Sequence, residues 1–333
     1  MKAKAINSIY SAIAVKSDGT TYPLPEVTTS LSLTEGKNEL AQKVSISLMN
    51  IKVEGTKLSK ILVAGVRLFV YANDGSKKDE VFRGVIWEDG FISDASKDIN
   101  LIAYDHLIYP QKSKDCKYFS AGKSTKSIAK GICDDWGLSL QYNYESITHP
   151  KTPLNNMGIA DMFIEVFDAV KDKTGAKYVI RSIKDVMHVN AFGSNSTIYK
   201  FEQGKGVISV SGSTTYEGMI TKVKIVGKED DNERVPVEAT IKGSNCDECG
   251  TIQDIITRTE GTTLADAKKE ANELLKEKGK PVETYKTTLP DIPWVHKGDL
   301  IQLDTEDLAG YFYVLSVTHD AGNKTMDLEV EPK

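Results

Sequence analysis

The sequence predicts a β-rich α+β protein in which two β-rich portions flank a small α/β portion. Three observations predict this class. Short segments with alternating apolar residues fill the first third of the 333-residue chain, residues with a helical repeat fill the middle, and alternating segments return in the last third. The close spacing of the strand segments is typical of a small barrel or sandwich.

The first third reads as a series of strands. The segment 42–51 (QKVSISLMNI) alternates apolar and polar residues, as a half-buried strand does. The segment 66–71 (VRLFVY) is rich in β-branched and aromatic residues and stops at an Ala-Asn-Asp-Gly turn. Two further strands are predicted over 81–90 (VFRGVIWEDG) and 99–110 (INLIAYDHLIYP), because each ends at Gly or Pro.

The middle of the chain changes to a helical period. Apolar residues recur at helical spacing between Ser124, which can cap a helix, and Gly137, which can end one. A second amphipathic helix is predicted over 159–175, and 176–192 reads as a β-hairpin. We interpret this part as a small α/β unit separate from the strands before it.

The last third returns to strands, with one helix among them. Strands are predicted over 207–213, over 219–228, and in the segments GDLIQL, GYFYVLSVTHD and TMDLEVE. The helix, over 262–279, begins with a capping-box pattern at Thr263 and Asp266 and ends at Gly279. Its narrow apolar stripe is suited to packing against a sheet.

The composition is that of an ordinary globular protein, with 40% hydrophobic and 27% charged residues. The formal charge of −5 and a pI near 5.7 argue against a broad nucleic-acid-binding surface. No window approaches the ~18 apolar residues of a membrane-spanning helix. The apolar stretch near the start is too interrupted for a signal peptide. We therefore expect no specific nucleic-acid recognition, no stable membrane insertion and synthesis in a cytoplasm.

The Gly-Lys-Ser-Thr sequence at 122–125 matches the end of a phosphate-binding loop. The full pattern requires a glycine five residues before Gly122, where this sequence has Lys117. Without that glycine the backbone N–H groups cannot converge on a phosphate. We interpret Gly122 as the end of a strand and Ser124 as a helix cap, and we predict no cofactor.

Cys246 and Cys249 form a Cys-x-x-Cys pair. A structural zinc site normally needs four Cys or His ligands. The other two cysteines, Cys116 and Cys133, are seventeen residues apart, and Cys133 falls on a predicted core face. Two acidic residues lie between the paired thiols, unlike the positive surroundings of a redox pair. We predict a loop with incidental cysteines, with a private zinc or disulfide at an interface as the open alternative.

No set of catalytic side chains stands out. The five histidines form no His-Glu-x-x-His motif, and there is no Gly-x-Ser-x-Gly elbow. A glycosidase-type carboxylate pair could form only in space, among the 47 acidic residues. We interpret these residues as surface charge and predict no catalytic or metal-binding residue.

Two stretches, together with the helix-bearing segment 249–281 (CGTIQDIITRTEGTTLADAKKEANELLKEKGKP) between them, carry a resemblance to a known family. The first contains Phe82 and Gly84, then Ala103, Tyr104, Asp105, Leu107, Lys112 and Ser113. The second contains, in order, Gly298, Asp299, Gly310, Tyr311, Val314 and His319. On these residues the chain resembles the XkdQ/YqbQ family of PBSX-type prophages and phage-tail-like bacteriocins. It departs from the family at Tyr109-Pro110, where an aromatic–leucine step is usual.

The resemblance implies the hub at the tip of a contractile tail. Such hubs are homotrimers whose chains each hold two small β-barrel-like tube domains, so that three copies join a six-fold tail tube to a three-fold central spike. Applied to this chain, it implies a tube domain over 1–115, an α/β domain over 116–200, and a second tube domain over 201–333 with the crossing helix 262–279. The implied partners are the tail tube protein, the central spike protein and other baseplate proteins. The implied location is the bacterial cytoplasm during assembly and then the baseplate of the phage or bacteriocin particle.

A structural protein rather than an enzyme is therefore expected, with two alternatives. One is a peptidoglycan hydrolase, which a carboxylate pair clustered in a cleft would favour. The other is a cell-wall-binding module that uses Trp87, Trp136 and Trp294 as stacking platforms. We expect Trp136 in the core. Trp294, in a proline-flanked loop, is expected to pack within its own barrel or to contact a neighbouring subunit.

Overall fold

The computed structural model describes residues 9–91, 98–228, 234–258 and 261–333. The chain divides into two compact units. Unit 1 consists of Met1–Val210 and Lys286–Lys333, and unit 2 consists of Ser211–Tyr285. The division into three domains with boundaries at 115 and 200 stays a prediction.

The first part of unit 1 is almost entirely β. Its elements are β1 (Tyr10–Val15), β2 (Thr21–Pro23), β3 (Thr28–Glu35), β4 (Lys43–Met49), β5 (Lys52–Val53), β6 (Thr56–Lys57), α1 (Leu58–Ile61), β7 (Arg67–Asn73), β8 (Lys78–Phe91), β9 (Asp98–Asp105) and α2 (Ile108–Gln111). The strands expected over 42–51, 66–71 and 81–90 are confirmed. The strand expected over 99–110 is too long, because the Asp105 carboxylate accepts a hydrogen bond from the Leu107 N–H and turns the chain.

The middle of unit 1 contains two helices, a two-stranded sheet and a three-stranded sheet. Its elements are β10 (Lys114–Phe119), α3 (Thr125–Asp135), β11 (Ser139–Asn143), β12 (Thr152–Gly158), α4 (Ile159–Thr174), β13 (Tyr178–Ile183), β14 (Val186–Ala191) and β15 (Lys200–Glu202). Ser124 caps α3 by accepting a hydrogen bond from the Ser127 N–H, as expected. The hairpin β13–β14 is also confirmed, with Lys184 and Asp185 at positive φ in its two-residue turn.

The remaining elements lie in unit 2 and at the end of unit 1. They are β16 (Ser209–Thr215), β17 (Lys222–Val226), β18 (Val237–Lys242), α5 (Cys246–Cys249), β19 (Gln253–Thr257), α6 (Leu264–Lys278), β20 (Val282–Pro290), β21 (Leu300–Asp304), β22 (Ala309–Asp320) and β23 (Thr325–Pro332). The unit boundary falls inside β16 and β20. In unit 2, α6 packs on the sheet β18-β17-β19, burying Ala267 and Ala271 against Val223 and Ile225. The capping box at Thr263 is present.

One large sheet joins the two β-rich portions of unit 1. Its strands run in the order β16-β20-β23-β22-β3-β4-β9-β8-β7-β1-β2, β21 adds to β22, and β15 adds to β21. The pairing of β22 with β3 is antiparallel and places Val317 opposite Glu35 and Asp320 opposite Ser32. Strands from the two ends of the sequence are therefore hydrogen-bonded neighbours.

Separate apolar cores among the described residues support unit 1. The alternating residues of the N-terminal strands, such as Leu33, Ile46 and Leu68, form one core. The helices α3 and α4 bury a second, in which the rings of Phe163 and Phe167 stack at 6.0 Å. Each fully buried side chain of this size contributes roughly 1.5–3 kcal/mol. The β-rich α+β class is confirmed. Among the helices of the described residues, none is long and apolar enough to cross a membrane.

Candidate functional site

Six ionisable side chains meet inside unit 1, and we call this cluster the ionic junction. Its members come from the end of β3, the end of β9, β13 and the loop before β21: Glu35, Asp105, Arg181, His296, Lys297 and Asp299. The ionic junction therefore connects the N-terminal strands, the small α/β portion and the C-terminal strands. Asp105 and Asp299 are among the family-like residues, but no sequence pattern indicated that these six side chains meet.

Glu35 lies at the centre of the ionic junction and is only 6% exposed. Its Oε1 atom is 2.7 Å from His296 Nδ1, and its Oε2 atom accepts a hydrogen bond from the Lys297 N–H at 3.3 Å. Arg181 Nε lies 4.0 Å from the same Oε2 atom. Burial alone would raise the pKa of Glu35, but the charges of His296, Arg181 and Lys297 outweigh it and lower that pKa to about 2. Glu35 is therefore a buried, ionised anchor.

Lys297 fastens the turn that follows β3. Its buried Nζ atom donates hydrogen bonds to the carbonyl oxygens of Gly36 and Glu39, at 3.1 and 2.7 Å. Burial lowers the pKa of this ammonium group. The negative charges of Glu35 and Asp105 raise it and so offset part of that effect. The C-terminal loop thus holds a turn of the N-terminal portion in place.

Asp105 shows why the first set of family-like residues belongs together. It is 2% exposed, and its two carboxylate oxygens accept hydrogen bonds from the N–H groups of Gln42 and Leu107, at 3.0 and 2.9 Å. Burial raises the pKa of Asp105 to about 7. In the β8–β9 ladder it lies opposite Gly84, where an added Cβ would come within 2.1 Å of the Tyr104 carbonyl oxygen. The motif is therefore a strand-pairing and turn motif.

The second set of family-like residues lies just before β21 and along β22. Gly298 has a φ of +87°, and an added Cβ would lie 2.6 Å from Val179 Cγ1. Asp299 accepts a hydrogen bond from the His296 N–H at 2.9 Å and faces Arg181 Nη1 at 3.6 Å. These residues hold the loop that supplies His296 and Lys297.

His319 forms a separate buried contact. Its Nδ1 atom is 2.6 Å from Asp291 Oδ1, and its Nε2 atom is 3.1 Å from the Val295 carbonyl oxygen. Since the carbonyl can only accept, Nε2 carries a proton. His319 therefore braces the segment 291–295 against β22.

A cleft of about 270 Å³ beside the ionic junction contains the carboxylate cluster that would favour a hydrolase. Its acidic lining residues are Glu35, Asp79, Glu80 and Asp105. Glu80 is held by two hydrogen bonds from Arg83, at 2.8 and 3.0 Å, and Asp79 accepts one from Lys184 at 2.9 Å. Glu35, Asp79 and Glu80 are in ion pairs, and Asp105 accepts backbone hydrogen bonds, so each of the four carboxylates has partners within the protein.

The predicted cysteine loop is in fact one helical turn, α5, because Cys249 N–H donates to the Asn245 carbonyl oxygen at 2.9 Å. Within the described residues, no group of three or more His, Cys, Asp or Glu side chains could hold a metal ion. Gly122, at a φ of +90°, follows β10 and precedes the Ser124 cap, as the interpretation of that segment required.

The three tryptophans lie in different settings. Trp294 is half-buried against the N-terminal core. Its indole N–H donates to Asp74 Oδ2 at 2.6 Å, and Lys77 Nζ lies 4.0 Å from its ring centroid. Trp136 is half-buried against the core of α3 and α4. Trp87 is 36% exposed and contacts two tyrosine rings edge to face.

Solved structures with a similar fold include tail proteins and a component of a type VI secretion system. The 43 kDa tail protein of prophage MuSo2 from Shewanella oneidensis matches at a TM-score of 0.68 and 13% identity, over 97% of this chain and 98% of that one. A tail protein from Neisseria meningitidis MC58 matches at a TM-score of 0.66 and 10% identity, over 96% of both chains. An Escherichia coli protein, described as a type VI secretion component similar to the T4 tail proteins gp27 and gp5, matches at 0.54 and 9% identity, over 92% of this chain and 74% of that one.

The fold is therefore that of phage tail and contractile-injection proteins. A sequence model of the YQBQ-like family matches residues 31–331, and the chain belongs to that family. Among proteins with curated descriptions, a sequence search finds no relative.

Proposed function

We propose that this protein is the hub of a contractile-tail baseplate, a homotrimer that joins the six-fold tail tube to the three-fold central spike. The observation that carries the proposal is the pairing of β3 with β22, which puts the N-terminal and C-terminal β portions side by side in one sheet. Membership of the YQBQ-like family and the tail-protein fold support it.

The symmetry argument follows from that pairing. A chain with two β portions contributes two similar surfaces, so a ring of three chains offers six of them to a six-fold tube and three equivalent ones to a spike. In this proposal the β portions within 1–115 and 201–333 are the two tube domains. Closing the ring would also cover strand edges that are otherwise open to aggregation.

The proposed role is mechanical rather than enzymatic. The ionic junction supports this, because its carboxylates accept hydrogen bonds from other segments of the chain and hold those segments together. Hub partners would be the tail tube protein, the spike protein and other baseplate proteins, bound over large obligate interfaces. The part of Trp294 that Lys77 and Asp74 leave uncovered is a proposed contact with a neighbouring subunit. Assembly would take place in the bacterial cytoplasm, and the mature location would be the tail baseplate.

The test is imaging of particles from producing cells that carry a tagged copy of the protein. We expect gold label at one end of contractile rods by negative-stain microscopy. Tagged protein that never associates with rods, yet clears a peptidoglycan suspension, would overturn the proposal in favour of a hydrolase. A Glu35→Gln, Asp105→Asn double variant that still clears peptidoglycan would exclude the ionic junction as the source of that activity.

A further inference from the structure

The Cys246–Cys249 pair lies on the single helical turn α5, between β18 and β19 of unit 2. The turn is closed by the hydrogen bond from the Cys249 N–H to the Asn245 carbonyl oxygen. It ends at Gly250, which has a φ of +85°. Both thiols are free in this structure.

The spacing along this turn suits a disulfide. Residues three apart in a helical turn have Cα atoms about 5 Å apart, inside the range of roughly 4.4–6.8 Å found for disulfides. Because α5 is one turn long and Gly250 follows it, the two Cβ atoms can approach without disturbing a longer helix. The loop predicted from the sequence did not specify this distance between the two cysteines.

The two sulfurs have different access to solvent. Cys246 is 5% exposed, and its Sγ atom lies 3.5 Å from Thr251 Oγ1. Cys249 is only half-buried and shares a hydrogen bond with the Tyr216 hydroxyl, which raises the pKa of that hydroxyl. A reagent therefore meets Cys249 first, and Cys246 is the sheltered neighbour three residues away.

We propose that Cys246 and Cys249 close to an intramolecular disulfide by exchange with a small-molecule disulfide such as oxidised glutathione. The Cys249 thiolate attacks one glutathione sulfur, and the first glutathione leaves as a thiolate. The Cys246 thiolate then attacks the Cys249 sulfur of the mixed disulfide and releases the second glutathione. Two protein thiols are oxidised, one disulfide is reduced to two thiols, and the two protein protons pass to the two glutathiones.

The closed pair would fix the connection between β18 and β19. If the proposed function holds, the pair is a dithiol while the particle assembles in a reducing cytoplasm and closes after release. The thiol chemistry itself does not depend on that role.

The experiment is equilibration of the full-length protein in glutathione buffers of graded composition, followed by acid quenching, thiol alkylation and peptide mass spectrometry. We expect Cys246 and Cys249 to lose alkylation together. The ratio of closed to open pair should change about tenfold for each tenfold change in the ratio of oxidised glutathione to squared reduced glutathione. Closure should also slow hydrogen exchange at the Cys249 amide.

Variants distinguish formation of the Cys246–Cys249 disulfide from simple glutathionylation of Cys249. Cys246→Ser should stop at a stable glutathione adduct on Cys249, whereas Cys116→Ser should leave closure of the pair unchanged. The proposal is overturned if the wild-type protein keeps both thiols free in fully oxidising buffer, if it retains glutathione on Cys249, or if it forms disulfide-linked chains. None of these results bears on the hub proposal, which is read from the position of the protein in the particle.

Discussion

Glu35 and Asp105 lie in the same ionic junction, but their surroundings favour opposite ionisation states. Glu35 faces His296, Arg181 and Lys297, which lower its pKa to about 2 despite burial. Asp105 has backbone N–H groups as its hydrogen-bond partners, and burial raises its pKa to about 7. Two carboxylates that look alike in the sequence are therefore expected to change stability with pH in opposite directions.

Replacing Glu35 with Gln should lower the free energy of unfolding by about 3 kcal/mol at neutral pH, because it leaves the buried charges of the ionic junction without their partner. Since the folded pKa of Glu35 is depressed to about 2, its stabilising effect is present above the unfolded pKa and is lost as the pH falls toward about 2. The difference between wild type and variant should therefore shrink in acid. Urea unfolding across this range measures it, with the exposed Glu26→Gln as a control that should change little. A constant difference at all pH values would contradict the expectation.

Replacing Asp105 with Asn should remove a pH dependence of opposite sign. Because the folded pKa of Asp105 is raised to about 7, the folded state binds a proton that the unfolded state has released, and stability falls as the pH rises toward that value. The slope for one group is about 1.4 kcal/mol per pH unit. The Asn variant should start less stable, since its amide cannot accept both backbone hydrogen bonds, but should lack this slope. If the free energy of unfolding changes equally with pH in the two proteins, the raised pKa of Asp105 is refuted.

At the scale of elements, the close approach of β8 and β9 depends on a glycine. Gly84 faces Tyr104 and Asp105 across the ladder, and no side chain fits between the two backbones there. Gly90 lies on the same strand, but an added Cβ would meet only the Asn100 carbonyl oxygen at 3.7 Å. The chain thus provides a matched pair of glycines with different roles.

Gly84→Ala should destabilise unit 1 by about 3 kcal/mol, because the obstructing atom is a backbone carbonyl oxygen that no rotamer change can move. Gly90→Ala should stay within about 0.5 kcal/mol of wild type. Thermal or urea unfolding of the two variants measures the contrast. Equal losses would mean that β8 and β9 can separate at Gly84 without cost.

At the scale of the whole molecule, the hub proposal predicts the number of copies. Chemical cross-linking of purified particles should give a ladder of this protein that ends at three times the 36.6 kDa of one chain. The expected limit follows from two β portions per chain facing a six-fold tube. A ladder that continues to six chains would contradict the symmetry argument while leaving the location in the baseplate open.

Much of the secondary structure could be predicted from local patterns. The alternation in β4, the Ser124 cap of α3 and the capping box at Thr263 each depend on residues within a few positions of one another. Local signals failed at Asp105, where a side chain turns the strand, and at Cys246–Cys249, where a short helical turn carries little periodicity.

The ionic junction and the joining of the two β portions in one sheet could not be predicted from local sequence patterns. Glu35 and His296 are 261 residues apart, and nothing near either one indicates its partner. The last third of the sequence reads as one β-rich portion, yet Ser211–Tyr285 forms its own unit and Lys286–Lys333 belongs with the N-terminal strands. Periodicity specifies which face of an element is buried, but not which distant element covers it. The β3–β22 pairing and the charges beside it depend on that choice, which is made only when the whole chain packs together.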